Sequence, residues 1–214
     1  HARVPTAVEG TTARPADAGG LPERFRVEWR EHAPPTAGAD ASAGEAWIVV
    51  GDEGALREAW EKPLGARGIT TRWAGVQQLA ERLREAPAAS RVVVALAADP
   101  GDTVRSAHET GEAQAEELLR VFRAIAAAPE IPLWVVIRGM TGDRGGPESL
   151  AGCMAESLAR VFALEHPERW GGLVDVAVAA GFEDLERACA LLCAPQEAPR
   201  DSFFSVQGGV AFVP

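Results

Sequence analysis

The sequence contains no tyrosine and a single lysine, Lys62. A tyrosine that donates a proton to a carbonyl substrate depends on a nearby lysine, because the positive charge lowers the tyrosine pKa. The only lysine precedes Pro63 in a short predicted helix, and the sequence offers no tyrosine to pair with it. Carbonyl reduction by a tyrosine and lysine pair is therefore excluded for this chain alone.

Positive charge is also scarce: 21 lysine and arginine residues stand against 31 acidic ones, a formal net charge of −10. Nucleic acids and anionic membranes are disfavoured partners, because binding them needs clustered basic side chains. No apolar run approaches the roughly 20 residues of a spanning helix, and the first twenty residues lack a signal-peptide core. These absences predict a cytoplasmic protein.

Cysteine is limited to Cys153, Cys189 and Cys193, all on predicted helices. Cys189 and Cys193 are one helical turn apart, but neither a histidine nor a further cysteine completes a ligand set near them. We expect buried thiols and predict no metal site.

What the sequence does contain is a chain of 214 residues, 47% hydrophobic and 24% charged, which suits one α/β domain. Residues 1–20 are mostly alanine, threonine, proline and glycine, and they cannot bury enough surface to offset their ordering entropy. We assign 1–20 to a linker or arm and 21–214 to the domain.

A strand, helix and strand crossover is the clearest unit, and it spans residues 131–176. Leu133–Ile137 is a continuous apolar run, typical of a strand buried on both faces of a parallel sheet. A helix then begins at Pro147 and ends before His166-Pro167, and a second buried strand starts at Leu173. The helix face predicted to point inward carries Leu150, Met154, Leu158, Val161 and Phe162.

The other patterns extend this unit on both sides. Further strands are predicted at Phe25–Trp29 (a sheet edge), Trp47–Val50, Ile69–Trp73, Arg91–Leu96 and in a closing hairpin around Gly208-Gly209. Helices are predicted at Ala55–Trp60 (interrupted by Pro63), Val76–Leu83, Glu112–Ala128 and from Phe182. The sequence predicts a mostly parallel, doubly wound α/β sheet.

Three motifs in this order carry a family resemblance. They are Val136-Ile137-Arg138-Gly139, Ala163-Leu164-Glu165-His166-Pro167 and Gly171-Gly172-Leu173-Val174-Asp175. They resemble the end of the structural, non-catalytic ketoreductase subdomain of modular type I polyketide synthases. Phe25–Trp29 and Phe203–Gly209 resemble its opening and closing strands, so the resemblance covers roughly Leu21 to Pro214.

The resemblance implies a truncated Rossmann-like fold of the short-chain dehydrogenase kind that stabilises a catalytic neighbour. That neighbour would bind NADPH and reduce β-ketoacyl chains held on a carrier protein. The chain itself would carry no catalytic, cofactor-binding or metal-binding residue. It would be a non-enzymatic part of a multifunctional synthase. In modules that carry an enoylreductase or a methyltransferase, the resemblance implies either a domain separated from its catalytic half by that insertion or a pseudo-ketoreductase.

Two glycine loops are the candidates for a nucleotide site. Gly51-Asp52-Glu53-Gly54 follows the first buried strand but lacks the third glycine of the dinucleotide fingerprint, and its two carboxylates would repel a pyrophosphate. Thr141–Gly146 follows a late strand rather than the first. Both are predicted to be ordinary loops.

Other candidate residues have simpler structural interpretations. Ser149 and Ser157 lack the nucleophile elbow, and His166 ends a helix whose dipole favours a cation. His108 is predicted to be a solvated loop histidine, and Asp52/Glu53 and Glu116/Glu117 solvated acidic pairs. Trp29 and Trp170 border loops and are candidates for an interface.

Two alternatives from other classes stay open. A free-standing nucleotide or small-molecule binding enzyme would use the crevice at the strand ends, with perturbed carboxylates near Asp52, Asp99 or Asp175. A homodimerising scaffold would show an exposed apolar patch rimmed by polar groups.

Overall fold

The computed structural model describes residues 29–33, 45–51, 55–85, 91–96, 104–128, 130–140, 147–177, 179–194 and 203–214. The predicted arm at 1–20 and most of the first predicted strand lie outside these residues. The described elements are β1 (Arg30–His32), β2 (Ala46–Val50), α1 (Ala55–Gly65), β3 (Thr70–Ala74), α2 (Val76–Glu85), β4 (Arg91–Ala95), α3 (Val104–Ala126), β5 (Leu133–Arg138), α4 (Pro147–Glu165), β6 (Trp170–Val176), α5 (Phe182–Cys193), β7 (Phe203–Gln207) and β8 (Val210–Val213).

The strands form one eight-stranded sheet in the order β1-β8-β7-β6-β5-β4-β2-β3. Strands β2 to β7 pair in parallel, and β8 and β1 complete one edge in antiparallel fashion. The predicted mostly parallel, doubly wound sheet is confirmed. Beyond β2 the described chain places only β3, whereas a full dinucleotide-binding half has two strands there.

Helices cover both faces of the sheet, which explains the apolar runs without polar alternation. On one face α2, α3 and α4 pack against Ile48, Val92, Val94, Leu133 and Val135. On the other face α1 and α5 pack against Trp47, Val49, Val93, Trp134 and Val174. None of the helices in the described residues is long and apolar enough to cross a membrane.

Two helix boundaries differ from the sequence prediction. Helix α1 does not stop at Trp60 but continues through Pro63, which removes one hydrogen bond in its last turns. Burial of Trp60 and Leu64 in the core offsets that loss. Helix α3 begins at Val104 rather than near Glu112, because its first turns pack on α4.

The inward face of α4 also differs from the prediction. Its core contacts come mainly from small residues and one aromatic ring: Ala151, Gly152, Ala155, Ala159 and Phe162. Of the residues predicted to face inward, Leu150 and Val161 are 38% and 50% exposed. The physical reason is the short distance between the helix and the end of β5: a Cβ on Gly152 would lie 2.9 Å from Met140 Cβ, so a larger side chain does not fit at this position.

The far edge of the sheet agrees with its prediction in part. The edge strand is β1, which begins at Arg30, just after the predicted segment Phe25–Trp29. Trp29 packs edge to face against Phe203, with ring centroids 5.3 Å apart. The closing hairpin is confirmed, and Gly208 and Gly209 adopt the positive φ values of 59° and 74° that such a turn requires.

Gly171 lies at an irregularity between β5 and β6, and a substitution there tests how closely the two strands pack. Leu133 pairs with Trp170 and Trp134 with Gly172, so Gly171 bulges beneath the buried Trp134 ring. A Cβ at Gly171 would lie 2.4 Å from Trp134 Nε1 and 2.9 Å from the Leu133 carbonyl oxygen. We expect Gly171→Ala to lower the free energy of unfolding by about 1–3 kcal/mol in urea titrations, through overpacking.

Gly65→Ala is the matched control, because a Cβ there meets nothing within 4 Å. Equal unfolding midpoints for both variants would show that the bulge accommodates a methyl group.

Candidate functional site

The end of β2 lies close to β4 at the place where a dinucleotide would bind in a wound sheet. Strand β2 lies between β3 and β4, and in wound sheets ligands bind outside the strand ends at this point. Gly51 follows β2, and a Cβ there would lie 2.8 Å from the carbonyl oxygen of Ala95. The ends of β2 and β4 therefore leave no room for a methyl group at Gly51. Asp52–Gly54, Thr141–Gly146 and Asp99 lie outside the described residues.

Lys62 lies on the opposite side of the sheet from α4. Its helix, α1, packs in the core with α5, and its Nζ sits 4.7 Å from the centroid of the Phe182 ring. Helix α4 belongs to the other core. The sheet thus separates the only lysine from the helix on which a reductase of this fold would place its catalytic pair.

Asp175, at the carboxyl end of β6, is fully buried and bonds to backbone. Its Oδ1 accepts a hydrogen bond of 2.9 Å from the N–H of Met140, which follows β5. The carboxylate therefore anchors the connection between β5 and α4. Of the three candidate carboxylates for a catalytic cleft, the described one has a structural partner.

Asp184, buried at the start of α5, is a structural residue that the sequence analysis did not identify. Its oxygens accept hydrogen bonds from the N–H groups of Gly181 (3.0 Å) and Gly209 (2.8 Å). It ties the helix start to the β7–β8 turn. The sequence contains a signal for this helix cap, because Gly181 and Asp184 have the spacing of a capping box.

Replacing Asp175 tests whether its role is structural. We expect Asp175→Ala to lower the free energy of unfolding by about 1–3 kcal/mol, because the buried Met140 N–H loses its acceptor. Asp175→Asn keeps an acceptor oxygen and should lose less. Urea unfolding of both variants provides the measurement. An alanine variant as stable as the parent would contradict this assignment.

The histidines and the α3 carboxylates form no catalytic group in the described residues. His108 lies on α3, not on a loop, and its Nε2 is 3.4 Å from Glu112 Oε1 on the exposed surface. His166 follows α4, and its ring is tilted by 40° against the Phe162 ring, with centroids 4.9 Å apart. Glu116 is exposed as predicted, but Glu117 is half-buried, and burial raises its pKa, with Arg120 opposing.

The cysteines divide into two environments. Cys189 and Cys193 are buried as predicted, and burial strongly raises the pKa of Cys189. Cys153 is exposed, so the expectation that it is buried was wrong. Among the described residues no three histidine, cysteine or acidic side chains are grouped to hold a metal ion.

Thiol labelling should separate these environments. In the native protein we expect one of the three thiols, Cys153, to react quickly with Ellman's reagent. Partial burial, Glu156 and Asp175 all raise its pKa, so the thiolate and the labelling rate should keep rising above pH 9.

Glu156→Gln is the control for this explanation, because it removes one of the charges that raise the pKa of Cys153. It should speed labelling at neutral pH. Rapid labelling of all three native thiols would contradict the described burial.

The remaining feature is an apolar surface on α3 and α4. Four of the five exposed large apolar side chains among the described residues lie there: Leu119, Leu150, Val161 and Leu164. Leu164 is 82% exposed. Beside them a groove of about 220 Å³ runs between the helices, lined on its two sides by Leu119, Phe122, Leu158 and Val161. No other part of the described surface combines exposed apolar side chains in this way.

Trp29 and Trp170, the predicted interface residues, are both half-buried. Trp29 packs on Phe203, and the Trp170 ring lies 6.5 Å from that of Phe162. Their interface role stays a prediction.

The sequence relatives are polyketide synthases. Over 191 residues (79% of this chain) the sequence is 34% identical to polyketide synthase GfsA of Streptomyces halstedii. It is 31% identical over 209 residues (83% of this chain) to the pikromycin synthase component PikAII of Streptomyces venezuelae. The chain spans only 2% and 5% of these relatives' lengths. No family model matches the sequence.

Solved structures show which part of a polyketide synthase this chain resembles. An A-type ketoreductase from a modular polyketide synthase superposes with a TM-score of 0.64 at 26% identity, covering 87% of this chain and 40% of that one. A C2-type ketoreductase gives 0.61 at 26% identity, covering 78% and 38%. A small-chain dehydrogenase, at 11% identity and a TM-score of 0.57, shares the fold.

The fold therefore places the chain among Rossmann-like domains of the short-chain dehydrogenase kind. The sequence relatives identify a more specific family than the fold does. The chain is a ketoreductase-like region of the modular polyketide synthase family, as the three sequence motifs indicated.

Proposed function

We propose that the chain is the structural, non-catalytic subdomain of a polyketide synthase ketoreductase. In this proposal it stabilises a catalytic subdomain that binds NADPH and reduces β-ketoacyl chains attached to a carrier protein. The observation that carries the proposal is the complete absence of tyrosine from a chain whose structural neighbours are ketoreductases. Without a phenol, the chain has no proton donor for the tyrosine mechanism.

The environments of the polar residues support the same interpretation. Asp175 and Asp184 bond to backbone N–H groups, and Lys62 is held against Phe182 on the far side of the sheet. At the strand ends, Gly51 lies close to the Ala95 carbonyl oxygen of the neighbouring strand. These contacts stabilise the fold.

The extent of the match supports a partner in the same synthase. The chain covers 38–40% of the two solved ketoreductases, so most of each ketoreductase corresponds to polypeptide outside this chain. We assign the nucleotide site and the catalytic tyrosine to that remainder. A linked partner has an effective concentration in the millimolar range when the linker is short, so even a modest interface stays assembled.

A homodimerising scaffold is the alternative that one observation favours. The exposed apolar side chains on α3 and α4 are the kind of patch expected of a self-associating surface. The same experiment separates the two functions, because it measures self-association as well as binding to the remainder of the ketoreductase.

The test titrates the purified chain with NADPH, followed by the fluorescence of its six tryptophans, alone and with the remaining ketoreductase segment of the same synthase. We expect no saturable NADPH binding by the chain alone. We expect a stable complex with the remaining segment, and a higher reductase activity and melting temperature for that segment when the chain is present.

Saturable NADPH binding by the isolated chain would overturn the non-catalytic assignment and direct attention to Gly51. Absence of any complex, together with a concentration-dependent dimer in sedimentation, would favour the scaffold instead.

A further inference from the structure

We propose that a groove on the α1–α5 face of the sheet binds an extended segment of the same synthase, one that carries an acidic side chain two residues from an apolar one. The groove has a volume of about 610 Å³ and lies between α5, the end of α1 and the β7–β8 turn. We call it the α5 groove. The inference goes beyond the proposed function and does not depend on it.

The α5 groove has the length of a short extended peptide. Five residues of one side of α5 line it, from Phe182 to Ala190. Eight residue steps of about 1.5 Å make this wall about 12 Å long. Three to four residues of an extended chain, at about 3.3 Å each, span the same distance.

The Gly208-Gly209 turn leaves room along the opposite wall. The Gly209 N–H donates a hydrogen bond of 2.8 Å to Asp184 Oδ1, which holds the turn against the start of α5. A Cβ at Gly209 would lie 3.5 Å from both Cβ and Oε2 of Glu183, and its φ of 74° favours glycine. The turn therefore lines the groove with backbone alone, and a peptide can approach it closely.

Basic side chains outnumber acidic ones around the groove. The basic side chains are Lys62, Arg67 and Arg187, and the acidic ones are Glu183 and Glu186. Arg67 lies 3.3 Å from Glu186, so these two charges offset each other. The whole chain carries a net charge of −10, and the groove is a locally positive site on it. Charge complementarity therefore favours a ligand with a carboxylate.

Arg187 is the basic residue of the lining that lacks an acidic partner among the described residues. Its Nη2 donates a hydrogen bond of 2.7 Å to the carbonyl oxygen of His32, and its Nε is buried without a hydrogen bond. Partial burial lowers its pKa, and Glu31 opposes this without forming an ion pair. The guanidinium stays charged at neutral pH. A ligand carboxylate that pairs with it compensates for the water that burial removes.

Phe182 supplies the apolar contact. It is 48% exposed, the one exposed large apolar side chain described on this face, and Lys62 Nζ lies 4.7 Å from its ring centroid. Phe182 and Arg187 are five residues apart, or about 7.5 Å along the helix axis. Side chains two residues apart in an extended chain point to the same side and are separated by about 6.6 Å. An apolar and an acidic side chain at that spacing can therefore reach both residues.

A weak contact suffices when the segment belongs to the same synthase. The chain spans 2% and 5% of two of its relatives, so nearly all of such a polypeptide lies outside it. A segment joined by a short flexible linker has an effective concentration in the millimolar range. A Kd of about 1 mM therefore keeps the groove occupied about half of the time or more.

The first test titrates the purified chain with the peptide acetyl-Thr-Leu-Thr-Glu-Thr-amide and follows the NMR signals of the Gly208 and Gly209 amides. We expect saturable shifts of both signals. Two control peptides have glutamine in place of glutamate, or leucine and glutamate at adjacent positions, where their side chains point to opposite sides. Each control should bind at least about threefold more weakly.

Substitutions at two lining residues should change the affinity for the glutamate peptide in opposite directions. Arg187→Gln removes the cation and should raise Kd at least about fivefold, and Arg187→Lys should raise it less. Glu183→Gln removes a carboxylate that repels the ligand and should lower Kd at least about twofold. Glu81→Gln, exposed on α2 at the other face, controls for net charge and should change Kd less than about 1.3-fold.

The exposed residue keeps the test valid if the obvious variant folds poorly. Arg187→Gln also loses the hydrogen bond to His32, whereas Glu183 is exposed and its replacement leaves that bond in place. The sign of the Glu183→Gln effect, measured against Glu81→Gln, is therefore sufficient by itself.

Photo-cross-linking identifies the occupant in the intact synthase. A benzophenone side chain replaces Ala190, which lines the groove, and the matched control replaces Glu81. After irradiation and digestion, mass spectrometry should find Ala190 joined to a segment of the same synthase with an acidic side chain two residues from an apolar one. The control position should not capture that segment.

Three results would overturn the proposal. They are equal binding of the three peptides or no shift of the Gly208 and Gly209 signals, equal effects of Glu183→Gln and Glu81→Gln, and cross-links confined to segments without acidic side chains. None of them bears on the proposed function, which the NADPH titration and the complex with the remaining ketoreductase segment decide.

Discussion

The close approach of α4 to its neighbours is the constraint on which the rest of this structure depends. A Cβ on Gly111 would lie 2.7 Å from Met154 Sδ and 3.3 Å from Ala151 Cα, and a Cβ on Gly152 would lie 2.9 Å from Met140 Cβ. At these two glycines a larger side chain has no space. Helix α4 therefore presents mainly small residues, together with Phe162, to α3 and to the sheet, and Leu150, Val161 and Leu164 stay exposed.

This constraint makes the two faces of the sheet unequal. On the face of α1 and α5, large apolar side chains such as Trp60, Leu64 and Leu192 are buried, and the core is closed. On the face of α3 and α4, close packing is achieved with small side chains, and Val161 and Leu164 stay exposed. At roughly 25 cal/mol for each Å² of apolar surface, a partner that covers this face gains stability that the isolated domain lacks.

The sequence predicted the sheet more reliably than the helix faces. Strands such as β4 and β5 are apolar on both sides because both faces are covered, and that pattern is legible without tertiary information. Helix α4 carries an alanine stripe and a leucine stripe, and hydrophobicity favours the leucines. Which stripe faces the core depends on Gly111 and Met140, residues that lie outside this helix. The hydrophobic pattern of α4 alone therefore predicted the wrong inward face.

The candidate site, like the fold, was predictable from the sequence only in part. The absence of tyrosine is a property of the sequence and by itself excludes the tyrosine mechanism for this chain. The role of Asp175 was not predictable, because its partner Met140 is 35 residues away. A carboxylate bonded to buried backbone is fixed in one geometry. In the described part of the chain, Asp175 near the end of β6 is part of the scaffold, and the exposed large apolar side chains lie mainly on the surface of α3 and α4.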